Sequence, residues 1–368
     1  MMHAALAIAA GGGGDAITAA MLAAAMPELR VSAIMSYSWD RFMMDPAPGP
    51  RTRAEFQGLV EHCGVATISE TSTLRKGTST LPRLAGSMAH PLLLLEAENG
   101  AAGMAATIVK AAQMFSADEL IVVDVGGDII AEGHESGLLS PLADSLALAA
   151  AMMTGLPTRV LVAGPGVDGE LLPSEVHARF ADLGACQVAS LTPVDAAPFA
   201  DLWSWHPSEA TSLLAMAADG WRGAVETQRR AVIDLTDDTT GIYEVDGQAL
   251  TKSSLARLLT STNSLDQAEQ MLRNRRGGRS ELDIERRKAA GEHSEVRVPT
   301  PQSLNVIDAY GRHARDRGVD ALTLRRVAEL VHAISPATTL KLRELLASQR
   351  PGNFYPPLYR VGAASSGL

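Results

Sequence analysis

Six apolar runs, His3–Ala10, Leu29–Met35, Pro91–Leu95, Glu119–Val125, Arg159–Ala163 and Cys186–Leu191, recur along the first half of the chain. Between them lie stretches with helical character, among them Ala16–Met26, Met104–Phe115, Leu142–Met153 and Glu175–Leu183. Short apolar runs without polar alternation are strands buried on both faces, and their regular exchange with helices specifies a parallel sheet wound on both sides. In such sheets ligands bind at the carboxyl ends of the strands. Here those ends carry the Gly-rich and acidic segments, so fold and site are predicted together.

After about residue 200 the pattern changes. Leu213–Ala218 and Gly223–Ala231 read as helices, and Arg53–His62 reads as another. Ala231–Thr236 and Ile242–Val245 read as short strands with DDTTG as the turn between them. Residues 251–290 are helical and highly charged, and Ala321–Ile334 and Pro336–Ser348 are two more helices. The expectation is α/β: a doubly wound, mostly parallel, Rossmann-like ligand-binding core over 1–200. A mainly helical C-terminal region, 201–368, packs on that core and offers a surface for homo-oligomer formation.

The first strand-end loop is GGGGDA. Gly11, Gly12, Gly13 and Gly14 let a ligand touch the backbone, and the helix that follows offers free N–H groups to an anion. Gly11, Gly13 and Ala16 also satisfy G-x-G-x-x-A, a dinucleotide fingerprint. Asp15 fits that reading poorly, because a carboxylate repels a pyrophosphate. It is either a helix cap or a ligand for a hydroxyl, an amine or a metal.

The second loop, VDVGGDII, flanks Gly126 and Gly127 with Asp124 and Asp128. An aspartate inside IVVDV is costly to bury unpaired. It either caps a neighbouring loop or faces the site, where the pair would hold Mg²⁺ or ribose-like hydroxyls. His134, in the EGHES that follows, reads as an exposed loop residue.

GPGVDGE supplies Gly164, Gly166 and Asp168, and EAENGAAG supplies Glu98 and Asn99. WSWHPSEAT is either a plain helix start or a lid bringing His206, Ser208 and Glu209 to the pocket as binding and acid–base groups. Arg75 and Lys76 are either a mobile anion site or part of a solvated loop.

Charge and composition exclude several classes. The 368 residues carry 32 basic and 42 acidic side chains, a net charge of -10, which argues against a general nucleic-acid surface. No apolar stretch of about 20 residues is present, so no membrane span is expected. No secretory leader is expected either, and the location is read as cytoplasmic. Cys63 and Cys186 lack metal-ligand spacing and are expected as buried free thiols. GxxxxGK[ST], HExxH, GxSxG and CxxC are all absent.

Together AAGGGGDAITA, VDVGGDII, the SPLAD run Ser140–Asp144, AGPGVDGEL and WHPSEAT resemble the archaeal and actinobacterial domain-of-unknown-function family 1152. The resemblance spans roughly residues 8–225. It implies a Rossmann-like fold and a shared site, and brings no reaction with it. The charged segment 251–300 looks particular to this chain or its close relatives, and Ala- and Arg-rich usage points to a specialised biosynthetic role.

The residues lead to an enzyme acting on a polar nucleotide- or sugar-phosphate-like small molecule, as a transferase or hydrolase. Asp15, Asp124 and Asp128 would hold hydroxyls or Mg²⁺, or act as acid–base groups. An NAD(P)-dependent oxidoreductase using Asp40 for the ribose is one alternative, and a metabolite sensor without catalysis is another.

Overall fold

The computed structural model of the protein describes residues 4–292 and 295–361, so the expected strand start at His3 lies outside the described residues. The strands are β1 (Ala5–Ala9), β2 (Val31–Ser36), β3 (Phe56–Gln57), β4 (Val60–His62), β5 (Val65–Ile68), β6 (Thr73–Leu74), β7 (Leu92–Leu94) and β8 (Glu119–Val125). They continue as β9 (Thr158–Ala163), β10 (Cys186–Ser190), β11 (Gly223–Glu226), β12 (Val232–Leu235), β13 (Gly241–Asp246), β14 (Ala321–Thr323), β15 (Phe354–Tyr355) and β16 (Leu358–Arg360).

The helices are α1 (Gly13–Ala25), α2 (Leu81–Ala85), α3 (Gly100–Met114), α4 (Pro141–Met153), α5 (Pro173–Leu183), α6 (Pro193–Ala196) and α7 (Glu209–Ala218). After them come α8 (Gly247–Ser253), α9 (Leu265–Arg275), α10 (Glu281–Ala289), α11 (Pro301–Asp316), α12 (Leu324–Leu330) and α13 (Pro336–Gln349).

The main sheet has nine strands in the order β10-β13-β9-β8-β1-β2-β7-β5-β4. The five central strands, β9 to β7 in that order, pair in parallel, and the edges pair antiparallel. The period of two along each strand sorts the core into two layers. Leu6, Ile8, Leu120 and Val122 pack with Met104 and Ile108 of α3 and Leu146 of α4. Ala5, Ala7, Ala9, Ile121 and Val123 pack with Ile17 and Met21 of α1 and with Leu213 of α7. This alternation puts Asp124 in register with Leu120 and Val122, on the α4 side.

Residues 141–151 of α4 are all buried. A helix apolar on every side must be covered on every side. The sheet covers one face, and α8, the 3₁₀ turn Leu255–Leu258 and α9 cover the other. The charged segment is therefore an outer helical layer that turns its few apolar residues, such as Leu250, Ala256 and Leu272, onto the core.

A second sheet, β12-β11-β14-β16-β15, is braced by α11, α12 and α13 around their own apolar cluster. The wholly buried Glu226 ties it together by accepting from Arg326 Nε at 2.8 Å and from Tyr310 and Arg317.

The second half of the chain differs from expectation. β12 and β13 do not form a hairpin. β12 pairs with β11 in the second sheet, whereas β13 enters the main sheet between β9 and β10. A division near residue 200 therefore cuts through the main sheet. Gly223–Ala231 contains a strand rather than a helix, with Gly223 at φ +125°. Arg53–His62 holds a 3₁₀ turn and two short strands. Ala321–Ile334 begins as β14, and the 16-residue α11 was not foreseen. Both cysteines are free but exposed, Cys63 in the β4–β5 turn at φ +51° and Cys186 on the edge strand.

Candidate functional site

The chain moves outward from β1 to β2 and β7, then returns to the other side of β1 to form β8 and β9. The crevice between β1 and β8 is thus a topological switch point, where helices leave to opposite sides and open the strand ends. The glycine loop after β1 and the GGD loop after β8 both face it, as their positions after apolar strands predict. Asp15 joins them: its Oδ1 accepts the Val125 amide at 3.2 Å, and the Gly11 amide also bonds to its carboxylate. Asp15 lies in the first turn of α1 and is not its cap, since Gly12 occupies that position without a side-chain bond.

Asp124, Asp128 and Asp144 each bring one carboxylate oxygen within 4.8 Å of the other two. They are 1 %, 7 % and 6 % exposed, and Asp15 is 8 % exposed. Burial raises the Asp15 carboxyl to about 8, and the charge of Asp124 adds to the shift. Burial also raises Asp124 to about 7, against a hydrogen bond from Asp128 and the amides of Gly127 and Ile129. Asp128 and Asp144 are pushed well above the carboxylate range, by burial first and then by neighbouring acids. Asp124 Oδ2 is buried and has no partner among the described residues. A buried acceptor in this state is costly until a donor or a cation reaches it.

Asp168 adds a further buried acid close enough to act on Asp124 and Asp128. Its Oδ1 accepts the Glu170 amide at 3.0 Å, while Oδ2 is buried without a partner. The loop is held by glycines. Gly126, at φ +111°, leaves room for Asp168, whose Cγ lies 2.3 Å from where a Cβ would be. The Gly166 amide donates to the Gly126 carbonyl at 2.6 Å, and Gly164 and Gly166 also adopt positive φ. Gly127, at φ +112°, packs on Val176.

The four N-terminal glycines are also sites of close approach. A Cβ on Gly11 would meet Asp15 Oδ2 at 2.1 Å, and one on Gly12 the Trp39 carbonyl at 2.8 Å. One on Gly13 would meet Thr80 Oγ1 at 2.9 Å and His206 Nε2 at 3.2 Å, and one on Gly14 Ser208 Oγ at 2.5 Å.

His206 and Ser208 therefore stand beside the glycine loop, on another flank from the acids. His206 is 4 % exposed, and burial, then the charge of Arg343, lowers it to about 3, so the ring is neutral. Ser208 caps α7 through Thr211. Glu209 is engaged elsewhere: it accepts from the Gln228 amide and from Thr323, and pairs with Arg325 at 3.1 Å.

Glu98 and Asn99 are exposed at the end of β7, in a loop whose backbone packs on residues 262–265. Among the described residues no bond joins them to the acid cluster. Asp40 is bound to the amide and hydroxyl of Thr80 at 3.1 and 2.6 Å. Arg75, Lys76 and His134 are exposed.

Sequence reasoning missed Asp144 as a site residue, although SPLAD marks it as an acid in a first helical turn. It also missed Glu281, whose carboxylate accepts the Leu142 amide at 2.9 Å and which burial raises to about 8. Arg41 was missed as well. Its charge falls on Asp15, Glu170, Glu281 and Glu285, and its side chain makes no ion pair among the described residues. No local signal marks Glu281 or Arg41, because each arrives from a distant segment.

Residues 6–289 match the family described as "Protein of unknown function (DUF1152)". The match continues past 225 through the charged helices, so that segment is not peculiar to this chain as far as residue 289. No curated protein and no solved structure matches the chain. With most of its length inside the match, and with the motifs quoted above placed around one crevice, the chain belongs to the domain-of-unknown-function family 1152.

Proposed function

We propose that this protein is a cytoplasmic enzyme of Rossmann-like fold that acts on a polar nucleotide- or sugar-phosphate-like small molecule, as a transferase or hydrolase. Its centre is a divalent cation held by Asp124, Asp128 and Asp144. The observation that carries this reading is the convergence of these three buried carboxylates, with Asp124 Oδ2 unpartnered, at the switch point. All-oxygen, carboxylate-rich donors suit a hard cation such as Mg²⁺ or Mn²⁺. A cation bound there supplies Lewis-acid polarisation of a phosphoryl or carbonyl oxygen.

Asp15 then acts as the proton carrier. Its raised carboxyl keeps a proton near neutral pH, and its tie to Val125 fixes its direction, so it can protonate a leaving oxygen. Arg41 balances the acids at the rim. The nicotinamide alternative lacks support at Asp40, whose carboxylate is taken by Thr80.

The test is calorimetry with Mg²⁺ and Mn²⁺, followed by a thermal-shift screen of nucleotides, sugar phosphates and dinucleotides with turnover assays. A ligand at 100 times its dissociation constant adds about 2.7 kcal/mol of stability. Cation binding with turnover of a phosphorylated compound supports the reading. Absence of cation binding overturns it, and ligand binding without turnover favours the sensor.

A further inference from the structure

We infer that the meeting point of His206 and the first turn of α1 is an oxyanion subsite, which takes a phosphate group of the substrate through His206 Nε2–H and the backbone amides of that turn. The inference deepens the proposed function and rests on its placing the substrate at the glycine loop.

The argument begins with two sets of unsatisfied donors. The Ser208 amide donates to His206 Nδ1 at 3.3 Å, so in the neutral ring the proton sits on Nε2. Nε2 is buried and has no partner among the described residues. It lies 3.2 Å from the Cβ position that Gly13 leaves empty. The nearby Thr80 hydroxyl donates to Asp40 at 2.6 Å and makes no hydrogen bond to Nε2. The second set is the start of α1, a 13-residue helix whose Gly12 cap supplies no side-chain acceptor. No described group accepts the amides of Gly12, Gly13 or Gly14. Helix-start amides and a buried imidazole N–H are all donors, and an anion is the ligand that satisfies them at once.

The surrounding charge agrees. Arg343 acts on His206 electrostatically, and Arg83 acts on Arg343. Arg83 stacks over the Trp205 ring at 4.1 Å, and Trp205 meets His206 edge-on at 5.3 Å. Neither arginine has a carboxylate partner among the described residues. Arg83 also lines a cleft of about 670 Å³ with Ser72, Thr78 and Ser79, which has room for the rest of a substrate. Glu209, the acid nearest in sequence, is held by Arg325 and Thr323. Asp15 turns away towards Val125.

The glycine loop thus separates two sets of unsatisfied atoms of opposite demand. The acid cluster needs a cation or donors, and His206 Nε2–H needs an acceptor. A phosphate ester accompanied by a divalent cation meets both. His206 is then a binding residue, neutral and donating, rather than a base.

The test is calorimetry with inorganic phosphate and pyrophosphate, in EDTA and again with Mg²⁺, on the wild type and on His206→Phe, His206→Gln, Arg83→Ala and Asp124→Asn. Pyrophosphate should bind the wild type. His206→Phe should weaken it about tenfold or more, and His206→Gln, which keeps a donor, should recover part of the loss. Arg83→Ala should weaken binding about two- to fivefold, more at low salt. Asp124→Asn should abolish the Mg²⁺ response. If neither anion binds the wild type, or if folded His206→Phe binds as the wild type does, the subsite is refuted. If His206→Phe does not fold, equal binding by Arg83→Ala and wild type at low salt refutes it. Loss of the cation reading alone shows as anion binding in EDTA with no Mg²⁺ response in the wild type.

Discussion

Asp15, in the first turn of α1, accepts the backbone amide of Val125, the last residue of β8, at 3.2 Å. One carboxylate therefore ties the ends of two strands through residues 110 apart in sequence. An asparagine keeps the accepting oxygen and removes the ionisable proton. Asp15→Asn should accordingly fold with a melting temperature equal to or above that of the wild type, because a buried acid raised by its surroundings is lost. Turnover or ligand binding should fall at least about tenfold. A well-folded variant with unchanged activity would remove Asp15 from the mechanism.

Gly126 tests how the hollow is kept open. Its φ of +111° and the Asp168 Cγ at 2.3 Å from its Cβ position make two separate demands for glycine. Gly155, at φ +73° with nothing within 4 Å, makes only the first. Gly155→Ala should cost about 1 kcal/mol in urea denaturation, and Gly126→Ala distinctly more, of order 3 kcal/mol, since strain and collision add. Equal costs would show that Asp168 moves freely and does not shape the site.

Asp124 and Asp128 are ionisable groups kept at a place where folding gains nothing from them. The double variant Asp124→Asn, Asp128→Asn should be as stable as the metal-free wild type or more so, and should lose any response of its melting temperature to Mg²⁺. Strong destabilisation of the double variant, together with a wild type that ignores Mg²⁺, would make both aspartates structural.

Local periodicity reveals the central sheet but not the partners of its later strands. Ala7 and Ile121 announce buried strands because neighbours on both faces demand apolar residues. β12 and β13 look like a hairpin because a turn-like DDTTG joins them, yet β12 turns back on β11 through Thr227–Ala231, with Arg230 at φ +65°. Ile242 and Val245 are spent in the main sheet instead. α11 carries a legible stripe, Leu304, Ile307, Gly311 and Ala314, but polar neighbours dilute it and a mid-helix glycine obscures it. The strand-end acids are visible for the same reason as the strands. The choice of Asp144 as their companion depends on which helix start crosses which strand end, and no local pattern encodes that.

The pH dependence of stability follows from the same carboxyls, and its sign is determined. Asp15 is raised to about 8 and Asp124 to about 7 from an ordinary 3.8, Glu281 to about 8 from 4.5, and Asp128, Asp144 and Asp168 well above the carboxylate range, all chiefly by burial. A group whose folded pKa lies above its unfolded value contributes stability below the unfolded pKa and loses it as pH rises through the folded one. His206 acts oppositely, since its lowered value makes acid destabilising below about 6.5, the ordinary histidine range. Between pH 6.5 and 8.5 the carboxyls act alone, and metal-free protein should lose stability at up to about 1.4 kcal/mol per pH unit for each proton released. Mg²⁺ should reverse the trend. A cation binds the ionised forms, so its stabilising shift should grow with pH and its binding should release protons. Melting curves at pH 6.5, 7.5 and 8.5 with and without Mg²⁺ test the first statement, and calorimetry in buffers of different ionisation enthalpy tests the second. A metal-free melting temperature that is flat across this window, with no proton release on adding Mg²⁺, would show that these carboxyls are not held protonated and that no cation completes the aspartate cluster.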